Sequence, residues 1–284
     1  IDAAAGSESD KKFIKAAALA FRAYSYEKLI HYYCYRWQGS NNGASQGVVL
    51  RLDESTGDAP FATLAETVDQ IYNDCQEAIT LFGESGIDRP ASEVWIPNAN
   101  VAHAVYARAA LFRQDYQTAL DQAKLAKQGY PLMSNADYKA GFCEPTSEWI
   151  MGSYGDASEN NWYWSYGTQG ACNGYYATAE GNNTGAGTIG HELISRIPNN
   201  DARKQNFLTE DKFPNLDLTK ESPYYYTYGI LGWEDDDIYA QADSIVKAHA
   251  VKGLNAPYQA GFYYLDANLK FFVTDQPGVS YLPF

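Results

Sequence analysis

The chain has 284 residues, 45% of them hydrophobic, with 35 acidic and 21 basic side chains and a formal net charge of −14. By mass scaling, such a chain exposes about 12,000 Å² folded against about 46,000 Å² unfolded, ample for a substantial core. The charge repels phosphate backbones and anionic lipid surfaces, and with no basic patch to offset it nucleic-acid binding is disfavoured; no apolar run approaches the roughly 20 residues needed to cross a bilayer as a helix.

Residues 1–10 are small and polar and are expected to fray. Residues 11–33 carry Phe13, Ala17, Ala20, Phe21 and Tyr24 in a long helical pattern. Residues 36–47 (RWQGSNNGASQG) form a polar, glycine-rich loop, and 48–52 read as a short strand or extended segment. Thr63-Leu64-Ala65-Glu66 has the form of a capping box, and Leu64, Val68, Ile71, Cys75, Ala78 and Phe82 continue an apolar stripe until Gly83 and Gly86. Residues 100–131 read as two helices meeting at an Arg113-Gln114-Asp115 corner. Asp115 is the N-cap of the second arm, Ala119, Ala123 and Ala126 are placed on one stripe facing the first arm, and Gly129 and Pro131 end it. This second arm resembles the second half of a tetratricopeptide repeat; His103 stands in the first arm where that repeat has a large apolar residue.

Beyond Pro131 the character changes. Gly, Asn, Ser and aromatic residues dominate residues 141–190, and helical periodicity nearly vanishes. Further on, a short helix is expected at 189–197, a turn at Asn199-Asn200-Asp201, an extended Tyr224-Tyr225-Tyr226, a helix at 234–249, an alternating hairpin at 261–273, and no terminating pattern at 281–284. The four cysteines, Cys34, Cys75, Cys143 and Cys172, contain no C-x-x-C pair, which leaves a zinc ribbon or thioredoxin-type site without support. Free buried thiols and a single bridge both remain open.

Taken in order, these segments resemble the SusD/RagB family, glycan-binding outer-membrane lipoproteins that sit on TonB-dependent transporters in Bacteroidetes. Residues 18–26 with Leu29 match the family's A-L-x-x-R-A-x-x-Y-x-x-L helix, and 48–56 its following extended segment. Residues 68–74 with Ala78 match its V-Y-x-x-I-x-x-D-L-x-x-A helix, the hairpin its A-x-A-x-L-A-R repeat, and Asn200-Asp201-Ala202-Arg203 its Asp-x-Arg turn. The family's long stretch before the first helix, with its lipidated cysteine, and its helices after a segment like 281–284 find no counterpart, so the chain is expected to be truncated at both ends.

The resemblance implies a mainly α, SusD-like fold: tetratricopeptide-like helical hairpins packed against an irregular, loop-rich region with short strands. A helical scaffold is expected at 1–140 and a loop-rich, ligand-binding region at 141–284, together forming one compact domain. It implies non-catalytic capture of oligosaccharide or another nutrient at the outward face of the outer membrane, with a SusC-like TonB-dependent transporter as partner. Membrane attachment would come only through a lipid anchor missing from this chain; no cofactor and no metal are expected.

Sugar-binding surfaces need flat aromatic faces for the apolar side of a ring and amides or carboxylates for its hydroxyls. Asn161, Trp162, Tyr163, Trp164 and Tyr166, flanked by Gly and Asn, supply both on a loop; the competing role for these rings is core packing. Trp37, beside Asn41 and Asn42, is the second candidate, against packing at the helix end. His191-Glu192-Leu193-Ile194-Ser195 starts like a zinc-protease helix but has serine where the second histidine is required. The acids at 234–237 are explained by the helix macrodipole as readily as by calcium. Two other functions share some of these features: a glycoside hydrolase, with two carboxylates across a cleft, and an intracellular tetratricopeptide scaffold, which predicts repeated hairpins.

Overall fold

The computed structural model describes residues 1, 3–139, 145–155, 191–214, 216, 230–231, 236–249, 263–266 and 280–283. Helix α1 spans Glu8–Tyr33, starting earlier than the apolar pattern does: the Ser7 hydroxyl accepts from the Asp10 backbone N–H, and Glu8 and Asp10 sit in the positive first turn. The residues expected to fray therefore include the cap. Helix α2, Leu64–Ser85, begins with the capping box, in which Thr63 and Glu66 satisfy each other's backbone N–H groups. It ends at Gly86, whose φ of 65° suits the left-handed stop that a side chain would resist. Helices α3, Ala99–Arg113, and α4, Tyr116–Ala126, form the hairpin. Gln114 takes the left-handed position at the corner, and Asp115 caps α4 by accepting from the Thr118 N–H. Residues 48–52 are an extended segment rather than a strand, following the isolated bridge of Gln46 to Thr63 and tied down by Ala62 N–H to Val48 O, Val48 N–H to Thr67 Oγ1, and Arg51 N–H to the Tyr26 hydroxyl.

These four helices belong to one unit, made by Ile1–Pro131 and Glu148–Met151. Tyr26 and Ile30 of α1, Val68 and Ile71 of α2, and Val101 and Val105 of α3 share one core. Ala16, Ala20, Ala78 and Ala102 let the same helices approach closely in a second. Polar cross-links run through both. Arg22 donates from Nε and Nη2 to the two carboxylate oxygens of Asp74 at 2.7 and 2.6 Å, and Gln70 adds a third donor at 2.7 Å. The arginine and the aspartate of two separate sequence motifs thus meet. Glu27, fully buried, accepts from Arg108 at 3.0 Å and lies 2.9 Å from His31. Buried Arg89 donates to four oxygens, those of Val94, Ile96 and Ile150 and the Tyr130 hydroxyl, and so ties the 87–97 loop to the chain beyond the hairpin.

The hairpin corrects one expectation. Ala126 is buried and Ala119 half-buried, but Ala123 is exposed. The seam runs instead through Gln122, whose amide oxygen lies 2.7 Å from His103 Nδ1, while Asn100 donates to the carbonyls of Leu125, Ala126 and Gln128. A polar pair replaces the apolar contact that a tetratricopeptide repeat would make, and the seam is centred on the Gln122 and Ala126 side of α4, which leaves Ala123 at its open edge.

The second unit contains Leu132–Ser147 and Gly152–Pro283. Its described helices are α5, Asn135–Lys139, α6, His191–Ser195, and α7, Asp236–His249. Strands β1, Gly152–Gly155, and β4, Ser280–Pro283, pair antiparallel, Tyr154 opposite Tyr281; β2, Ile230–Leu231, and β3, Tyr263–Tyr264, form a second antiparallel pair. The last residues are thus a strand joined to a partner far back in the sequence, which no local pattern announces. Tyr263 and Tyr264 pair with β2; most of the rest of the expected 261–273 hairpin lies outside the described residues. Helix is the dominant regular structure, as expected, and no described helix is long and apolar enough to cross a membrane. Cys34 and Cys75 are free thiols; Cys143 and Cys172 lie outside the described residues.

Candidate functional site

Of the sequence-predicted contact residues, Asn161, Trp162, Tyr163, Trp164 and Tyr166 lie outside the described residues. Trp37 is described. It opens a short 3-10 turn, Trp37–Gly39, just after α1, and the loop behind it folds back onto the start of α2 through Leu64 N–H to Ser45 O and Ala65 N–H to Gly43 O. Gly43 has φ 82°, and a Cβ there would lie 2.7 Å from both Ala65 Cβ and the Trp37 ring. The half-buried indole is therefore seated on backbone at one edge. The Arg113 guanidinium, paired with Asp69, stands 5.2 Å from its ring centroid and 5.5 Å from that of Tyr72, a cation shared by two aromatic rings. Burial pushes the Tyr72 hydroxyl well above the ordinary tyrosine value, with the nearby Asp115 carboxylate adding to it.

Three aromatic rings beside Trp37 are open to solvent: Tyr32, Tyr33 and Tyr35 are 76%, 79% and 70% exposed. The sequence did not single them out because the helical pattern takes in the first two, although the run Tyr32-Tyr33-Cys34-Tyr35-Arg36-Trp37 holds four rings in six residues.

In the second unit a polar cleft of about 300 Å³ is built on the Asp-x-Arg turn. Asp201 caps the 3-10 turn Ala202–Asn206 by accepting from the Arg203 backbone N–H, and the Arg203 side chain folds back on the same carboxylate at 2.6 Å. That hydrogen bonding, side chain first, holds the Asp201 carboxyl at about 2. A second 3-10 turn, Glu210–Lys212, forms the facing wall. Lys212 donates from Nζ to the carbonyls of Gln205 and Phe207, and burial lowers its pKa. Two distant elements brace this corner. Gln241 of α7 donates to Lys212 O at 2.8 Å, and Asp266, just after β3, donates its backbone N–H to Leu208 O while its buried carboxylate lies 2.6 Å from His191 Nδ1. Desolvation raises the Asp266 pKa, and the imidazole opposes that shift. Sequence reading found the turn but assigned it no site; Thr209, on the cleft wall, carried no local signal.

No protein-family model matches this chain, and no curated protein matches it either. Solved structures do. A SusD-like carbohydrate binding protein from Bacteroides vulgatus ATCC 8482 aligns with a TM-score of 0.61 at 21% identity, covering 72% of this chain and 42% of that one. A candidate sugar binding protein from the same organism aligns at 0.57 and 20% identity over 88% of this chain and 58% of that one. A SusD superfamily protein, also from that organism, aligns at 0.50 and 23% identity over 58% and 38%. The fold is SusD-like. The chain spans less than two thirds of the length of these structures.

Proposed function

We propose that this chain is a non-catalytic module that captures oligosaccharide at the outward face of a bacterial outer membrane and delivers it to a SusC-like TonB-dependent transporter. The observation that carries this is the likeness in fold to a protein named for carbohydrate binding. The aromatic and amide content of Asn161, Trp162, Tyr163, Trp164 and Tyr166 agrees with it, as do Trp37 and the exposed tyrosines beside it. Rings of this kind cover the apolar face of a pyranose while neighbouring amides take its hydroxyls. Trp162 and Trp164 are the first contacts to test, with Trp37 next in line.

A glycan array on the purified chain, followed by calorimetry with the best binder, tests the proposal. Trp162→Ala and Trp164→Ala are expected to weaken binding into the millimolar range, a change of a few kcal/mol from micromolar, with the melting temperature kept. Release of reducing ends from the bound oligosaccharide, abolished by one Asp or Glu substitution, would replace capture with hydrolysis. Variants that melt early yet bind normally would make both tryptophans core residues.

A further inference from the structure

Along α1 and just past it the positive side chains divide into two sets. Lys11, Lys12, Lys15 and Arg22 each stand against an acid, respectively Glu8, Glu84, Glu77 and Asp74. Lys28 and Arg36, at the far end, have no such partner. Among the described residues the Lys28 ammonium meets only the face of Tyr24, 5.0 Å from its centroid, and the Arg36 guanidinium has no hydrogen bond or ion pair. The helix macrodipole accounts for a cation in the last turn, where His31 sits, but it falls off too quickly to call for Lys28 or for Arg36 beyond the cap. Arg108 and the His31 imidazole are already held by buried Glu27. From Lys28 to Leu52 the sequence contains no acidic residue, in a chain whose net charge is −14.

The same end of α1 carries exposed rings. Among the described large hydrophobic side chains only Leu132 is more exposed than Tyr33, Tyr32 and Tyr35, and none of the three hydroxyls has a hydrogen-bond partner there. Single apolar side chains scattered over a surface need no explanation, but a contiguous exposed patch marks a contact. Lys28 and Tyr32 lie one turn apart on a single face of the helix, and the Tyr32 and Tyr33 rings stand 6.4 Å apart with 62° between their planes. A sugar stacked on one of these rings therefore meets the other at its side, next to the Lys28 stripe.

We propose that the end of α1 is a contact site for an acidic saccharide unit, with Tyr32, Tyr33 and Tyr35 on the apolar face of the sugar and Lys28 and Arg36 on its carboxylate or sulfate. That the ligand is a saccharide rests on the function proposed above; the place and the acidity rest on the side chains at this end of α1. A neutral sugar has no use for two uncompensated cations, and a free inorganic anion has none for three tyrosine faces. An anionic membrane would come against the whole charge of −14, whereas a single acidic unit feels only the charges within a Debye length, about 8 Å at physiological salt. The site gives a preference among glycans that stacking alone cannot, since a uronic acid and its parent hexose present the same ring.

Calorimetry on the full chain tests it, with oligogalacturonate beside its methyl ester and a sulfated carrageenan oligosaccharide beside its desulfated form. Each neutral counterpart keeps the backbone and removes the charge, and the two pairs separate carboxylate from sulfate. At least one acidic member is expected to bind more tightly than its counterpart, with an affinity that falls as salt rises. Lys28→Gln combined with Arg36→Gln should weaken that binding by about tenfold, the equivalent of about 1.4 kcal/mol, and Tyr32→Ala or Tyr33→Ala by about fivefold, with the melting temperature kept. Should the double variant fail to fold, Arg36→Gln alone, at an exposed position outside the helix, carries the charge test. The proposal is overturned if neither acidic oligosaccharide binds, if the neutral counterparts bind as tightly, or if binding is indifferent to the variants. Displacement by inorganic sulfate at matched ionic strength would leave an anion site only, and capture of phosphatidylglycerol vesicles through the same side chains would make this a lipid contact; either result overturns it too. The two proposals fail separately: oligosaccharide binding that depends on Trp162 while both acidic probes are refused removes this site alone, and acidic-oligosaccharide binding lost in Tyr32→Ala but kept in Trp162→Ala removes the aromatic segment alone.

Discussion

Removing either partner of the Arg22–Asp74 pair tests whether α1 and α2 are held by a buried ion pair or only by their apolar seam. The Asp74 side chain is 2% exposed, whereas that of Arg22 is 32% exposed. Arg22→Ala therefore strands a carboxylate that water cannot reach, with only the Gln70 amide left to it, and should cost about 3–5 kcal/mol. Asp74→Ala strands a guanidinium that can still turn its exposed third toward solvent, so its cost should fall below that, at about 2–3 kcal/mol. The order of the two costs follows from burial, not from the pair's own strength. The joint replacement Arg22→Met with Asp74→Leu leaves no charge stranded and should recover most of the loss, because a well-packed apolar pair of similar volume is often neutral against a buried ion pair. Urea unfolding followed by far-UV circular dichroism measures all three. If both single variants stay within about 1 kcal/mol of the parent, the pair behaves as a surface salt bridge, and its two short hydrogen bonds do not cross-link the helices. If the double replacement is as unstable as the worse single one, the site tolerates no apolar packing.

Ala126→Trp should destabilise by about 1–3 kcal/mol or more through overpacking of a buried seam position, while Ala123→Trp should stay within about 0.5 kcal/mol; thermal melts showing the reverse order would restore the seam expected from the alanine pattern. Gly43→Ala adds a Cβ where φ is 82° and where Ala65 and Trp37 lie 2.7 Å away, so a loss of about 1–3 kcal/mol is expected, with Trp37 more accessible to acrylamide quenching. Asp201 is depressed to about 2 by Arg203; what its charge contributes to the turn is present above the ordinary carboxylate value and is lost as pH falls through about 2. An NMR titration of the Asp201 carboxyl should place its midpoint near that value, and Arg203→Ala should return it toward the ordinary one.

Much of the helical half was legible because its signals are local. The Thr63 capping box, the Gly86 stop and the Arg113-Gln114-Asp115 corner each satisfy backbone groups within a few residues, and neighbouring side chains suffice to specify them. The ordered motifs, Arg22 and Asp74 among them, pointed to the SusD-like fold without disclosing why those two residues recur. Only the tertiary structure shows that they face each other across 52 residues of chain. The phase of α4 was lost for a related reason. Alanines at 119, 123 and 126 fall within about 60° of one another on a helix that turns about 100° per residue, so the stripe alone does not say which of its edges meets α3; the His103–Gln122 contact lies on the Ala126 edge and leaves Ala123 on the open one. The pairing of β4 with β1 and the cleft around Thr209 likewise depend on segments distant in sequence. Closing such long loops is decided by the free energy of the whole fold, not by the few residues at either end, and the sequence of those residues carries little trace of it.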